Sequence, residues 1–250
     1  MKRLFRYVTI ALALLTATAC EYDTGTEPQP ERLAREIWNI ARDDLWRVND
    51  ALTFAACYNY YLNIEDSETA HQYAISKLNN PSDITVEGNI HKIVYNTSYE
   101  TTYSIIFDMN GERWNVKRTG GNGYELNIEQ KRSNYYIVDI EYIYSSESTG
   151  YGIVEGTLNY DENGEPEIGF VGSIVMVDKD ESAVSPLTIT IDIIEEVSFY
   201  NVNIIRTGRM LITAEDALYG TKDEILVTVL RDVNGQAIVE YDGKQWGFYI

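Results

Sequence analysis

The chain contains only two cysteines, Cys20 and Cys57, in 250 residues. Secreted proteins that depend on disulfides carry several pairs of cysteines, so this composition excludes a disulfide framework. Cys57 lies among small and aromatic residues in the stretch LTFAACYNYY. A free cysteine in such surroundings usually packs as a small apolar residue, and we therefore predict a buried, inert thiol at Cys57.

Basic residues are also scarce. Lys and Arg number 20 against 39 Asp and Glu, which gives a formal net charge of −19. Nucleic acids bind basic surfaces, because their phosphates must be neutralised, so we expect no nucleic acid partner. An acidic balance is typical of a well-solvated protein and fits an extracellular or periplasmic location.

Recognisable catalytic motifs are missing. The chain has two histidines, His71 and His91, and neither lies at a spacing typical of metal ligands. There is no G-x-S-x-G motif, and the Gly-rich stretch TGGNGY at residues 119–124 lacks the Lys-Ser/Thr and the helix of a phosphate-binding loop. The sequence therefore predicts no catalytic residue, no metal site and no cofactor, and it favours a protein that is not an enzyme.

Paired carboxylates are the one catalytic class that the composition leaves open. Glycoside hydrolysis uses two carboxyl groups held about 5–10 Å apart. A carboxylate-based glycoside hydrolase is therefore retained as an alternative function. The candidate residues, predicted to lie in turns or at strand ends where water surrounds them, are Glu165, Glu167, Glu195 and Glu196.

Residues 1–19 have the pattern of a secretory signal peptide. Three basic residues precede an apolar run from Tyr7 to Leu15, and small residues follow. The apolar run is too short to span a membrane. Residues 1–19 are therefore predicted to be removed and not to belong to the fold.

The last four residues of this segment, Ala17-Thr18-Ala19-Cys20, resemble the lipobox of bacterial lipoproteins. The resemblance implies that a peptidase cuts before Cys20 and that the Cys20 sulfur carries a diacylglycerol, which tethers the mature chain to a membrane. The acidic residues directly after Cys20 are similar to the surface-export signal of Bacteroidota lipoproteins. Together these resemblances imply an outer membrane lipoprotein that faces the periplasm or is displayed on the cell surface.

A spacer and one globular domain are predicted to follow. Residues 20–30 are acidic and lack an apolar period, which is typical of a flexible spacer behind the lipidated cysteine. The remaining residues, 31–250, suit a single globular domain. Within it, residues 31–80 are predicted to be helical and residues 84–250 to form antiparallel strands.

The helical part opens with a long amphipathic pattern. Apolar residues recur every three or four positions over residues 31–62, and Trp38 and Trp46 widen this apolar face, which we expect to pack against a sheet. A polar residue near Asn49 could cap a new helix, so a break at that point is left open. A second short helix is predicted to begin after Asp66.

From Ile84 onward the apolar period becomes two, as in YELNIEQ (124–130) and LTITIDI (187–193). Such alternation predicts strands with one buried and one wet face, and we count about ten to twelve of them, with a helical interruption in AEDALYG (214–220). Sheets this wide curl, split or close. The predicted fold is mainly β (α+β): an N-terminal helix or helix pair packed on a long antiparallel meander that forms a curled half-barrel or barrel. A two-sheet β-sandwich is the alternative.

Three copies of D-x-N-G begin at Asp108, Asp161 and Asp232. Calcium loops need about six to eight oxygen ligands, whereas each copy offers one carboxylate and one amide. We therefore predict hairpin turns of type I, with Asp at the first position and Gly at the fourth. The Asp-Gly pair in YDGK, which begins at Tyr241, is predicted to be a hairpin turn as well.

Tyrosine is in clear excess, with 20 copies. It combines an apolar ring with a polar tip, so exposed clusters bind glycans or proteins, although tyrosine also favours strands. We select Tyr135, Tyr142, Tyr144 and Trp246 as candidate binding residues. The predicted function is a non-catalytic, membrane-anchored binding or structural module for a glycan, a peptide or a protein.

A lipid or acyl-chain carrier is the other alternative. The order of the elements, a helix followed by a meander, resembles the half-barrel of lipoprotein-carrier proteins. That resemblance implies an apolar cavity between the helix and the sheet, in which a lipid would bind.

Overall fold

The computed structural model describes residues 29–78, 81–96, 102–120, 123–143, 148–160, 166–178, 187–201, 204–216, 221–230 and 236–249. In these residues the chain forms two N-terminal helices and then an antiparallel sheet of thirteen strands. Cys20, Glu165, Tyr144 and the second and third D-x-N-G copies lie outside the described residues.

Helix α1 (Gln29–Leu62) is continuous over 34 residues. The break considered near Asn49 does not occur. Asn49 is only 3% exposed, and its Oδ1 accepts a hydrogen bond from Thr53 Oγ1, one turn further along the same helix, at 3.3 Å. The polar group is therefore satisfied inside the helix and does not cap a new one. Trp38 and Cys57 are fully buried, as predicted.

Helix α2 (Ser67–Ser76) begins after Asp66, as predicted. The Oδ1 atom of Asp66 accepts a hydrogen bond from the backbone N–H of Thr69 at 2.7 Å, which is the usual N-cap interaction. The buried residues of α2 are Ala70, His71 and Ala74, and the helix packs against α1.

The thirteen strands pair in sequence order, each antiparallel to the next. They are β1 (Asp83–Glu87), β2 (Ile90–Asn96), β3 (Thr102–Asn110), β4 (Arg113–Thr119), β5 (Gly123–Arg132), β6 (Tyr135–Ile143), β7 (Ser148–Tyr160), β8 (Pro166–Asp178), β9 (Leu187–Asn201), β10 (Ile204–Asp216), β11 (Thr221–Val229), β12 (Gln236–Tyr241) and β13 (Lys244–Tyr249).

The sheet is open. Among the described strands, β1 and β13 each pair with a single neighbour and form the two edges. The open antiparallel meander with its N-terminal helix confirms the predicted fold class, whereas the closed barrel and the two-sheet sandwich are wrong. The sandwich was suggested by strands that are apolar on both faces. Val175 and Val177 of β8 lie half-buried on the face away from α1, and no second sheet of described strands covers them.

The strands curl around α1. The buried residues of β9 extend from Ile189 to Phe199, a length of about 33 Å at the usual rise of a strand. A helix with its side chains is only about 10–12 Å wide, so a flat sheet could not bury both ends of this strand against it. The face that contacts α1 is called the inner face below, and the opposite face is called the outer face.

Helix α1 crosses the sheet from its last strand to its first strands. The Arg35 guanidinium lies over the Phe248 ring of β13, 4.5 Å from the ring centroid. Leu52 lies directly over Gly156 of β7. The ring centroid of Phe54 lies 4.1 Å from that of Phe107 on β3. The C-terminal end of α1 therefore reaches the β1–β4 end of the sheet.

The first D-x-N-G copy is a hairpin turn, as predicted, but its type differs. Ladder pairing extends to Asn110 and Arg113, so the loop consists of Gly111 and Glu112 only, with Gly111 at φ 64°. A two-residue hairpin favours Gly at its first position, and this places Asp108 inside β3. The Asp242-Gly243 turn has φ 50° and 70°, which confirms the predicted Asp-Gly hairpin.

Two local predictions are wrong because of strand pairing. Ala214 and Asp216 were placed in a helical interruption, yet they pair with β9 at the end of β10. Glu195 and Glu196 were placed in a turn or at a strand end, yet they lie inside β9. Here the register with β8 shifts, and residues 194–196 are all exposed, as at a β-bulge.

Candidate functional site

The predicted binding residues do not come together. Tyr135 lies on the outer face of β6, where its hydroxyl donates to Glu155 Oε2 at 2.7 Å. Trp246 lies on the inner face of β13 and packs against the core. Six strands separate β6 from β13. The backbone of Tyr142 pairs with Tyr124 and Gly150, which places Tyr142 in the ladder between β5 and β7.

A different group of tyrosines clusters where α1 ends. The ring centroids of Tyr60 and Tyr61 are 5.1 Å apart, those of Tyr61 and Tyr73 are 3.7 Å apart, and those of Tyr60 and Tyr160 are 5.4 Å apart. These four residues, from α1, α2 and β7, are called the tyrosine patch. Tyr60 and Tyr61 are adjacent in the sequence, but no local pattern could place Tyr73 and Tyr160 beside them.

The tyrosine patch is partly open to solvent. Tyr160 is 48% exposed, Leu62, the last residue of α1, is 38% exposed, and Ile64, just after the helix, is 58% exposed. Partial burial among the rings and a hydrogen bond with Tyr60 raise the pKa of Tyr160 to about 12. The phenol is therefore neutral at physiological pH, and the patch presents rings, aliphatic groups and neutral hydroxyls.

A groove of about 430 Å³ lies on the other side of α2, between this helix and the β1–β2 hairpin. It is called the histidine groove, because both histidines of the chain line it. The other lining residues are Tyr58, Ser67, Glu68, Gln72, Ile75, Ile84, Val86 and Gly88.

The two histidines form a buried pair. The Nδ1 atoms of His71 on α2 and His91 on β2 are 2.7 Å apart, and the residues are 6% and 1% exposed. Twenty residues separate them in the sequence, so spacing alone could not reveal the pair. Burial, followed by the neighbouring charge of His71, lowers the pKa of His91 to about 4, and burial also lowers the pKa of His71.

The surroundings of His91 indicate which tautomer the pair adopts. Its Nε2 is buried without a hydrogen-bond partner, and its imidazole packs T-shaped against the rings of Phe54 and Tyr58 and tilted against Trp114, at centroid distances of 5.6, 4.9 and 5.7 Å. An N–H group is tolerated next to aromatic faces, whereas a lone pair is repelled by them. We therefore assign the proton to Nε2 of His91, whose Nδ1 then accepts a hydrogen bond from Nδ1–H of His71.

A second polar group, partly buried, lies near the middle of α1. Burial raises the pKa of Asp50 to about 8, against the opposing effect of Arg118 on β4, and Oδ1 of Asp50 has no hydrogen-bond partner. The Arg118 guanidinium lies 3.9 Å from the ring centroid of Tyr103. Burial, followed by the charge of Asp50, also raises the pKa values of Tyr95 and Tyr124. A neutral carboxyl group is thus held between α1 and the sheet. It lines neither the histidine groove nor a second groove, which lies on strands β3 to β6.

Glu167 and Glu196, two of the carboxylates considered for hydrolysis, lie on the outer face. Glu196 extends over Gly169, and partial burial together with nearby Glu167 raises its pKa. Glu167 forms an ion pair with Arg206 at 2.7 Å. A raised pKa next to a second carboxylate is one feature of a general acid. Neither Glu167 nor Glu196 lines the histidine groove or the groove on strands β3 to β6.

The other groove, of about 460 Å³, is lined by polar residues of β3 to β6. Asp108, Asn115, Asn127 and Asp139 stand in one row across these strands. The Asn115 amide donates to Asn127 Oδ1 at 3.0 Å and to Glu125 Oε1 at 2.8 Å. Asn115 thus links Glu125 and Asn127 along the sheet surface.

Two further properties concern only the part of the chain that the structure describes. No group of three or more His, Cys, Asp or Glu side chains is arranged there to hold a metal ion. None of its helices has the length and apolar character that a membrane crossing requires.

The fold and its surfaces define a class of protein: a thirteen-stranded open meander, curled around one long helix, with a tyrosine patch and a histidine groove where that helix ends. Comparison with known protein families, curated proteins and solved structures finds no match to this chain. Arguments about its function therefore depend on its own residues.

Proposed function

We propose that the protein is a non-catalytic lipoprotein, anchored through Cys20 in the outer membrane on its periplasmic side or at the cell surface, that binds a protein partner through the tyrosine patch. The observation that carries this proposal is the cluster of Tyr60, Tyr61, Tyr73 and Tyr160 in mutual ring contact beside exposed Leu62 and Ile64. Aromatic rings next to aliphatic groups are the usual anchors of protein interfaces.

The position of the patch supports an anchored binding module. Helix α1 begins nine residues after Cys20 and is 34 residues long. At the rise of an α-helix it spans about 50 Å. A lipid on Cys20 would hold the protein near the start of α1, and the tyrosine patch lies at the opposite end of this helix. The patch would then face away from the membrane, toward a partner.

The composition of the patch favours a protein over a glycan. Glycan platforms need flat ring faces that are free for stacking. Here Tyr61 and Tyr73 pack on each other at 3.7 Å, and Tyr60 contacts both Tyr61 and Tyr160. The neighbouring exposed groups, Leu62 and Ile64, are aliphatic and offer no hydrogen bonds to sugar hydroxyls.

The carrier alternative receives less support. A carrier needs free apolar space between helix and sheet, yet Leu45, Val48 and Leu52 of α1 are completely buried, and Leu52 fills the space above Gly156. The hydrolase alternative needs a carboxylate pair in a cleft, whereas Glu167 and Glu196 lie on the outer face outside both grooves.

The partner can be tested by photo-crosslinking in cells. A photoreactive benzoylphenylalanine would replace Tyr160, and in a matched strain it would replace Tyr151, another exposed tyrosine of the same strand, which is 56% exposed. We expect a discrete crosslinked product from position 160 only, and its loss when Ile64→Asp is added. Equal products from both positions, or a product that persists with Ile64→Asp, would contradict the proposal.

The anchor is tested separately. Metabolic labelling with a palmitate analogue is expected to mark the wild-type protein and not Cys20→Ser, and the wild type is expected in the outer membrane fraction. Protease treatment of intact cells then distinguishes the cell surface from the periplasmic side. A soluble, unlabelled wild type would reject the anchor without affecting the test of the patch.

A further inference from the structure

We propose that His71 and His91 form an acid-operated latch, which holds α2 on the β1–β2 hairpin at neutral pH and releases it when both imidazoles are protonated. The pair joins the helix to the sheet through the 2.7 Å contact between the two Nδ1 atoms. Around it, the β1–β2 hairpin contributes apolar groove residues such as Ile84 and Val86.

The count of protons explains why the contact responds to acid. In the neutral pair one proton lies between the two Nδ1 atoms, with His71 as donor and His91 as acceptor. A first added proton binds elsewhere on the pair and leaves this bridge intact. A second added proton must occupy Nδ1 of His91, because its Nε2 already carries one. Two N–H groups then face each other at 2.7 Å, and the two rings are both positive.

The surroundings offer little compensation for that charge. Around the pair, α1 contributes Phe54 and the phenol of Tyr58. The sheet contributes Phe107 of β3, which is the register partner of His91, and the Trp114 ring of β4. Among the described residues that line the groove, Glu68 of α2 is the one carboxylate, and it lies on the exposed rim. Neither Lys nor Arg occurs among these described lining residues. The doubly protonated pair is therefore left in an aromatic environment without a buried counter-ion.

Helix α2 is the element that would move. It has ten residues, and apart from His71 its buried residues are Ala70 and Ala74, which cover little area. Helix α1, in contrast, is buried along its length against the sheet. Release of α2 is opposed by its two buried alanines, by Tyr73 and Ile75, which pack against the core, and by the histidine bond. Loss of this bond therefore shifts the balance toward the open form.

The pH range follows from the sign of the shift. A histidine whose pKa is lowered in the folded state stabilises that state fully above its unfolded pKa of about 6.5, and this contribution is lost as the pH falls toward the folded value. For His91 that value is about 4. We therefore expect the latch to open progressively as the pH falls from about 6.5 to about 4.

The first test is NMR of the full-length protein, which suits it because the chain contains only two histidines. At pH 7.5 we expect a through-hydrogen-bond coupling between the two Nδ1 nuclei, with a proton on Nε2 of His91. On acidification the coupling should disappear as the second histidine titrates. Absence of the coupling at pH 7.5, or two histidines that titrate independently near pH 6.5, would overturn the proposal.

The second test is hydrogen exchange of the α2 amides, corrected for intrinsic exchange rates. Protection of residues 70–76 is expected to fall about tenfold or more from pH 7 to pH 4.5. A tenfold change corresponds to a histidine pKa that differs by one unit between the closed and the released state of α2. His91→Gln keeps a hydrogen-bonding group but cannot become charged. In this variant the α2 amides should therefore be as well protected at pH 4.5 as at pH 7. Glu68→Gln is the control and should behave as wild type. Unchanged wild-type protection, or the same acid response in His91→Gln, would refute the latch.

Discussion

At the scale of single residues, Gly156 shows how closely the helix and the sheet approach. A Cβ atom at this position would overlap with Cδ2 of Leu52, which is itself completely buried. Gly247 on β13 is the contrasting case, because a Cβ atom there would meet nothing within 4 Å. The two glycines therefore separate the effect of added volume from the effect of backbone stiffening.

We predict that Gly156→Ala lowers the free energy of unfolding by about 1–3 kcal/mol, because Leu52 must move within a packed core. Gly247→Ala should leave it unchanged or raise it by up to about 1 kcal/mol, since alanine restricts the unfolded chain. Urea unfolding measures both values. A double variant with Leu52→Ala should show strong coupling to Gly156→Ala and none to Gly247→Ala. Equal effects of the two glycine substitutions would disprove the close contact.

Asp50 gives a second prediction at this scale. Its pKa is about 8 in the folded protein and about 3.9 in an unfolded chain, so the folded state holds this proton more tightly. The contribution of Asp50 to stability is therefore greatest below about pH 4 and is lost as the pH rises toward 8. Asp50→Asn should be more stable than wild type by about 2–4 kcal/mol at pH 7.5, and the difference should vanish at pH 4.

Urea unfolding of both proteins at four values between pH 4 and pH 8 measures this difference. Asp139→Asn, an exposed substitution with the same change of charge, is the control and should have no such pH dependence. The prediction fails if Asp50→Asn is destabilised at every pH, which would mean that the charged carboxylate is an essential partner of Arg118.

At the scale of elements, α2 depends on its N-cap. Asp66→Ala removes the hydrogen bond to the Thr69 N–H and should lower the free energy of unfolding by about 1 kcal/mol. Glu65→Ala removes the same charge from the neighbouring exposed residue. It should change the free energy of unfolding by no more than about 0.5 kcal/mol. Thermal or urea unfolding compares the two, and equal losses would show that charge, not capping, matters at this position.

The elements also show what sequence could and could not predict. The apolar spacing of α1 and the alternation in the strands identified the buried faces, because these patterns arise from local geometry. AEDALYG at residues 214–220 was misread, since pairing of its first residues with β9 overrides local preference. The histidine pair joins two elements and the tyrosine patch joins three, and no local pattern records which elements meet. Trp246 was selected for binding, yet its inner-face position follows only from the register of β13.

At the scale of the whole molecule, α1 contacts both ends of the sheet, through Phe248 on β13 and Phe107 on β3. Neither end has a separate core, so we predict a single cooperative unfolding transition. The four tryptophans report on different regions, with Trp38 and Trp46 on α1, Trp114 on β4 and Trp246 on β13. In protein labelled with fluorotryptophan, all four native resonances should disappear at the same urea concentration. Earlier loss of the Trp246 signal would indicate that the last strands unfold independently.

The course of α1 across the sheet also has a consequence for the order in which the protein is made. Its first turns lie against β13, which is synthesised about two hundred residues later. The helix cannot complete its contacts until β13 has left the ribosome, so much of its apolar surface stays uncovered until then. Contacts so distant in sequence also make folding slow. A nascent chain of this kind needs a holding chaperone along its route, and its yield should depend on that chaperone far more than its final stability suggests.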